Sequence, residues 1–305
     1  MEYGFMTSRD LIPCNLCESR QWKMFVIGTD RLHGFEGRFS YVRCVRCGLV
    51  FMNPQVPPEQ MGRYYPEDYS PHHKKAPESR PEINLPRAVL KQLRPDSAVL
   101  DIGCGSGAFL QAFRQKIGCR VFGLDFSGKA VETARNRYGL SVFCGTLERY
   151  PAEESSFDLI TAWSFLEHVH DPMSVLKKVF HLLKPGGWFC LKTPNVRSLN
   201  AVLFKDKWYA LDCPRHLFLF SPPTIRQYVQ KAGLEVQSIT WDLGSKTLLC
   251  SLQYLLDGNS RKPVAEERIR KSKWARAIVS PWSHLCGWMG FADQMYVTAR
   301  KEPKV

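Results

Sequence analysis

Two pairs of cysteines, "CNLC" at 14–17 and "CVRC" at 44–47, stand 26 residues apart near the start of the chain. Each C-x2-C pair makes a knuckle that can aim two thiolates at one ion, and four thiolates close a tetrahedral zinc site with no position left open. The spacing therefore predicts structural zinc at Cys14, Cys17, Cys44 and Cys47, against the alternatives of a redox dithiol or buried unliganded thiols. A segment of about 50 residues with so little core needs such an ion to fold.

A second chemical group lies in "VLDIGCGSG" (99–107). A β-branched run ends in Asp101, and Gly103, Gly105 and Gly107 then allow a tight turn that brings bare backbone close to a ligand. Asp125 follows 22 positions after Gly103, at the end of the run "VFGLD", where a carboxylate can accept both hydroxyls of a ribose. A dinucleotide site wants G-x-G-x-x-G with a pyrophosphate on the helix N-terminus. Here the third glycine comes one position early, and an acid before the turn suits a cation and repels a pyrophosphate. A ribose, an ammonium and a sulfonium are combined in S-adenosyl-L-methionine, which is the predicted cofactor. An ordinary βα turn with an incidental acid is the alternative.

The elements that must hold these groups are readable from Ser97 onward. Short apolar runs ("AVLDIG", "RVFGLDF", "SVFCGT", "FDLITAW", "GWFCLKTP") alternate with helical stretches, which implies βαβ units, a parallel sheet and ligands at the C-terminal strand ends. Asp171-Pro172 supplies a helix N-cap and an N1 proline. "DQMYVTARK" alternates like a strand and is expected to close the sheet at its edge, which makes residues 244–290 an insertion between the last two strands. Pro54 to Pro86 has the composition of a linker or a draped segment.

The 305 residues are 44% apolar and show no internal repeat, as expected of a folded soluble protein with one large core and small appendages. No export signal and no stretch of ~20 apolar residues are found, so the expected location is cytoplasmic and the eleven cysteines are read as thiols or metal ligands. The net charge of +13 suits nucleic acid, an anionic membrane surface or phosphorylated substrates without choosing among them.

With these motifs in place, residues 85–242 and the last strand resemble the class I S-adenosylmethionine-dependent methyltransferases. The resemblance implies an α/β fold with a Rossmann-like, seven-stranded, mostly parallel sheet. It also implies that Asp101 to Gly107 surround the methionine part and Asp125 the ribose. Phe126 would lie against the adenine, Thr146 and Leu147 would approach its edge, and Trp163 would cover the cofactor. The ribbon "RCVRCGLVFMNP", then "YYPEDY", then "DCPRHLFLFSPPTIRQYVQKAGLEV", resembles a bacterial family of zinc-ribbon methyltransferases that includes deoxysugar-nucleotide C-methyltransferases. On that resemblance the chain divides into a zinc ribbon (1–55), a linker covering the cofactor (56–84) and a methyltransferase domain (85–305) carrying the 244–290 insertion.

Methyl transfer from a sulfonium is an in-line displacement, so the enzyme aligns the acceptor and removes its proton. His216 occupies the place of the family's histidine base, but Arg215 replaces the acid that usually precedes it, which weakens the case for carbon methylation. Glu167 and His168, in "LEHVHDP" after the fourth strand, are rival bases or helix caps. Arg215 could grip a substrate phosphate or carboxylate, or be a solvated surface charge. Tyr64, Tyr65 and Tyr69 would fold over the cofactor, or glue two domains together.

Residues Arg261 to Arg276 carry seven Lys/Arg against two Glu, beside Trp274, Trp282 and Trp288. That composition fits a peripheral contact with an anionic membrane, or a helical pair with a solvated face. The leading expectation is a methyltransferase acting on a hydroxyl or carbon of a sugar or saccharide precursor. Alternatives are a quinone or other small-molecule O-methyltransferase, an RNA methyltransferase, and a non-enzymatic binding module on a decayed scaffold. No nucleic acid partner is expected, because no "NPPY"-like segment and no RNA-reading motif appear.

Overall fold

The computed structural model describes residues 11–66, 85–257 and 272–303. Tyr69, most of the expected linker and most of the 261–276 basic run lie outside the described residues.

The chain begins with β1 (Trp22–Gly28), β2 (Phe39–Cys44) and β3 (Val50–Met52), followed by the short helix α1 (Pro58–Met61). After α2 (Arg87–Gln92), strands and helices alternate through β4 (Ala98–Ile102), α3 (Ala108–Ile117), β5 (Arg120–Asp125), α4 (Gly128–Tyr138), β6 (Ser141–Cys144), β7 (Phe157–Trp163), α5 (Pro172–Leu182) and β8 (Leu183–Pro194). Then come α6 (Leu199–Phe204), β9 (Phe218–Leu219), α7 (Pro222–Lys231), β10 (Glu235–Asp242), α8 (Lys246–Leu256), α9 (Lys273–Trp288) and β11 (Gln294–Arg300).

Seven strands form one sheet in the order β10-β11-β8-β7-β4-β5-β6, parallel except that β11 runs against both neighbours. The parallel βαβ part is what the alternation implies, and the seven-stranded Rossmann-like sheet is what the family resemblance implies. Every residue of the central strand β4 is buried, because helices cover both faces. Leu100 and Ile102 join one core with α5 and α7, and Val99 joins the other with α2, α3 and α4. The predicted cap is present: the Asp171 carboxylate accepts from the Ser174 N–H at 3.1 Å.

One sequence expectation is corrected. β11 is not the edge but lies between β8 and β10, with Met295, Val297, Thr298 and Ala299 buried. The edge is β10, whose residues are all at least partly exposed. Its alternation and that of β11 look alike in sequence, so order could not be read from pattern alone.

The N-terminal strands form a second sheet, β1-β2-β3-β9, in which Phe51 and Val50 pair with Phe218 and Leu219. Since β9 directly follows His216, the ribbon is hydrogen-bonded to the segment that carries that histidine.

Candidate active site

Beyond β4 the chain turns through Gly103, Gly105 and Gly107 with φ of 72°, 52° and 78°, a region open to glycine and strained for other residues. A Cβ on Gly103 would meet the Phe165 ring at 2.9 Å, and one on Gly107 would meet Leu140 at 2.6 Å. The Gly105 and Ser127 N–H groups each donate to Asp125, to Oδ2 and Oδ1 respectively, both at 2.9 Å. The turn is thus pinned to the end of β5. Behind it, buried Asp101 accepts from the Thr161 hydroxyl at 2.6 Å. Burial pushes the Asp101 carboxyl up to about 7, with the nearby Asp125 charge adding to the rise and Thr161 opposing it.

A cavity of about 890 Å³ opens at these strand ends. Gly103, Gly105, Asp125, Phe126, Thr146, Leu147 and Trp163 line it, whereas Asp101 and Gly107 stand behind the lining. Gly107 answers to helix packing, against Leu140 and Ala134, rather than to the cavity. Phe126 is 56% exposed beside the opening, and Tyr65 meets it edge-on with ring centroids 5.6 Å apart. Tyr64 instead packs inward between Phe35 and Phe39.

The three candidate bases converge on the same cavity. His168 and His216 lie edge to face with centroids 4.5 Å apart, and ligand atoms of Glu167, His168 and His216 all fall within 4.8 Å of one another. Such spacing lets them share a proton or a cation. His168 Nδ1 is 3.1 Å from the Arg215 carbonyl, and His216 Nδ1 is 2.9 Å from the Ala210 carbonyl. A carbonyl only accepts, so both Nδ1 atoms carry hydrogen and both Nε2 atoms carry a lone pair. Burial lowers both imidazoles, His168 to about 3 with the neighbouring His216 adding to the fall, so both are neutral near pH 7. Burial also raises Glu167 to about 8, while its own backbone N–H and the Thr193 hydroxyl oppose the rise.

Arg215 is a correction to the sequence reading. It is fully buried and does not line the cavity. Its Nη1 and Nη2 grip the two Asp30 oxygens at 3.0 and 2.9 Å, and Nη2 and Nε reach Asp212 Oδ1 at 2.7 and 3.0 Å. No guanidinium edge is left for a substrate anion. Burial would raise the Asp212 carboxyl, but Arg215, His216 and His168 outweigh it and hold the group well below the usual carboxylate range. Its other oxygen lies 3.7 Å from His216 Nε2. The ribbon holds this loop again where the Tyr41 hydroxyl donates to the His216 carbonyl at 2.7 Å. Asp30 and Asp212 carry no sequence signal, because their partner is met only in three dimensions.

On cavity-lining residues the buried atoms Trp163 Nε1, Glu167 Oε1 and Gln294 Oε1 have no hydrogen-bond partner among the described residues. Buried polar atoms are normally satisfied, so these mark where ligand groups can bond. Gln294 was read in the sequence only as the start of a strand.

In the ribbon, the Glu18 N–H donates to the Cys14 carbonyl and the Gly48 N–H to the Cys44 carbonyl, closing each knuckle. Cys14 Sγ is 3.5 Å from Cys47 Sγ, Cys17 Sγ is 3.5 Å from Cys44 Sγ, and all four lie within 4.8 Å of one another. Four thiols at that spacing are the donor set of a tetrahedral zinc site. The hydrogen bond to Cys47 lowers Cys14 to about 5 against the effect of burial.

Fold and cavity together define a class I methyltransferase scaffold. The sequence profile described as a methyltransferase domain matches residues 75–239, over half of the chain, and the chain belongs to that family. Among curated proteins it is similar to the ubiquinone biosynthesis O-methyltransferase of Thiobacillus denitrificans, at 32% identity over 154 residues, 47% of this chain and 66% of that protein. The protein of the same name from Coxiella burnetii is also 32% identical over 154 residues, with 65% of its length covered. The chain thus spans just under two thirds of these relatives. Among solved structures, YcgJ from Bacillus subtilis (TM-score 0.50, 21% identity, 72% of this chain and 97% of that one) shares the fold. So does the [4+2]-cyclase SpnF (TM-score 0.50, 20% identity, 71% and 79%), which shows how little the fold alone says about chemistry.

Proposed function

We propose that this methyltransferase methylates a hydroxyl oxygen of a small molecule, with a quinol-type acceptor as the first reading. The observation that carries it is the pair of neutral imidazoles facing the cavity, each presenting an Nε2 lone pair beside Glu167. Neutral imidazole is a suitable base for a hydroxyl, whereas a C–H proton asks for more. The curated relatives' names favour the same chemistry, since both are O-methyltransferases of ubiquinone biosynthesis.

S-adenosylmethionine supplies an electrophilic methyl on sulfur, for in-line displacement by the acceptor oxygen. Asp125 takes the ribose hydroxyls with lone pairs left over from its bonds to Gly105 and Ser127. Gly103 and Gly105 pass beside the methionine part, with the Asp101 carboxylate behind them favouring a cation. Phe126, Thr146 and Leu147 would hold the adenine, and Trp163 would cover the cofactor. His216 Nε2 receives the acceptor proton, and the ionised Asp212 then stabilises the imidazolium at 3.7 Å. Gln294 Oε1 accepts from a further acceptor hydroxyl, and the Glu167 carboxyl, protonated near neutral pH, donates from Oε1 to an acceptor oxygen. His168, held by Arg215 and by Tyr65, orients the acceptor or replaces His216 as base.

The four ribbon cysteines hold one structural zinc, which keeps Asp30 and Tyr41 in place against the base. A saccharide acceptor is the second reading, supported by this ribbon docked directly beside His216. An acceptor screen with labelled S-adenosylmethionine separates the two. Label transfer to catechol-type quinol precursors supports the first, transfer to sugar nucleotides supports the second, and transfer to neither class removes the proposal.

A further inference from the structure

Helix α9 is inside out. At 100° per residue, Trp274, Ile278, Pro281, Leu285 and Trp288 recur at spacings of four and three and fall on one stripe. That stripe faces solvent: Trp274 is 83%, Ile278 76% and Trp288 85% exposed. The opposite side, which packs on the protein, presents the small residues Ser283, Cys286 and Gly287, and a Cβ on Gly287 would meet Leu243 at 2.1 Å. A surface helix that only covers a core has the reverse pattern, so the outward stripe is a surface for something else.

The apolar area continues onto neighbouring helices. α9 packs on α8, and α8 on α6, while Trp282 donates to Asn200 of α6 at 3.1 Å. These elements add exposed Leu255 and Leu256 at the end of α8 and Val202 and Leu203 on α6.

We infer that this face docks on an anionic phospholipid surface. Charge selects that occupant over a neutral protein groove. α9 contains no acid and exposes Lys273 beside the stripe, α6 is followed by exposed Lys205, and of the two acids at these helix ends Asp206 is paired with Arg31 at 2.7 Å and Asp257 is exposed, so cations outnumber unpaired acids on this face. Trp274 and Trp288 sit at the two ends of the stripe, about 21 Å apart along the axis, which suits a helix lying in the interface plane with tryptophans at headgroup level.

Topology ties the face to the cavity. The helix pair leaves the sheet after Asp242 and returns at Gln294, at the strand ends where the cavity opens, and Lys246 and Gln294 both line it. An acceptor dissolved in the bilayer would meet the cavity from this side; that consequence rests on the small-molecule reading above, whereas the docking does not.

The test is co-sedimentation of the full chain with phosphatidylcholine vesicles, with and without phosphatidylglycerol. Wild type should pellet only with the anionic vesicles, and added salt should release it. Lys205→Glu with Lys273→Glu should weaken partitioning by roughly tenfold or more, and Trp274→Ala with Trp288→Ala by at least as much. Both double variants should keep wild-type heat of binding to S-adenosylhomocysteine, which shows that fold and cofactor cavity are intact whatever the acceptor proves to be. The inference is overturned if wild type stays in the supernatant with anionic vesicles, or if the variants pellet like wild type. It is also overturned if wild type is a dimer in ultracentrifugation that the tryptophan variant converts to monomer, since the face would then belong to a second copy.

Discussion

The two ends of the cavity are made of different material. At the end near Gly103 the ligand-facing groups are backbone and one carboxylate, drawn from two adjacent turns and pinned by amide bonds from Gly105 and Ser127 to Asp125. At the end near His216 they are side chains from separate segments, held by a guanidinium shared between Asp30 and Asp212. Backbone geometry needs only glycines at the right φ and a strand end. A side-chain constellation at full burial needs counter-charges from far along the chain, or its groups shift protonation state instead. The first end should therefore resist distant damage, and the second should not.

Arg215→Met breaks that asymmetry most severely. It leaves buried Asp30 and part-buried Asp212 without their guanidinium partner, a loss of about 3–5 kcal/mol in unfolding free energy by denaturant titration. A loss near zero would mean that the ion pair does not hold the ribbon to the loop. Asp30→Asn should show a smaller loss and a reduced turnover number, because the base loop loses its anchor while Gly105 and Asp125 are untouched.

His216→Ala separates the two ends by function. Turnover should fall by about 10²- to 10⁴-fold, with affinity for S-adenosylhomocysteine changed by less than about twofold. Asp125→Asn should do the opposite: affinity falls by about tenfold, one charge-assisted hydrogen bond's worth, while turnover at saturating cofactor is largely kept. If His216→Ala turns over normally, His168 or Glu167 is the base.

The same contrast explains what could be read in advance. Asp101, the glycines and Asp125 span 25 residues, and strand, turn and acid each leave a local pattern. The paired cysteines do the same, and the four sulfurs meet as their spacing requires. Arg215 was misread because an isolated basic residue carries no sign of its partners, and Asp30 lies 185 positions away. The placement of β11 inside the sheet was hidden for a related reason. Periodicity shows that a strand or helix has an apolar face, but not what that face will meet.

Proton linkage gives the finest comparison of the two ends. Glu167 has a folded value raised from 4.5 to about 8, so its contribution to stability is fully present below pH 4.5 and is lost as pH climbs toward 8. Asp101, raised from 3.8 to about 7, behaves in the same sense over a lower window. Glu167→Gln should therefore flatten the decline in melting temperature of the cofactor-free protein between pH 4.5 and 8. Asp101 has a second signature, because a cationic cofactor favours its ionised form. Affinity for S-adenosylmethionine should rise with pH and level off above about 7, with a proton released on binding below that pH. Asp101→Asn should remove this slope and Glu167→Gln should leave it unchanged. Calorimetry in buffers of different ionisation enthalpy reads both. If Glu167→Gln abolished the proton release, the cofactor would be titrating the histidine end of the cavity, and the division between the two ends would fail.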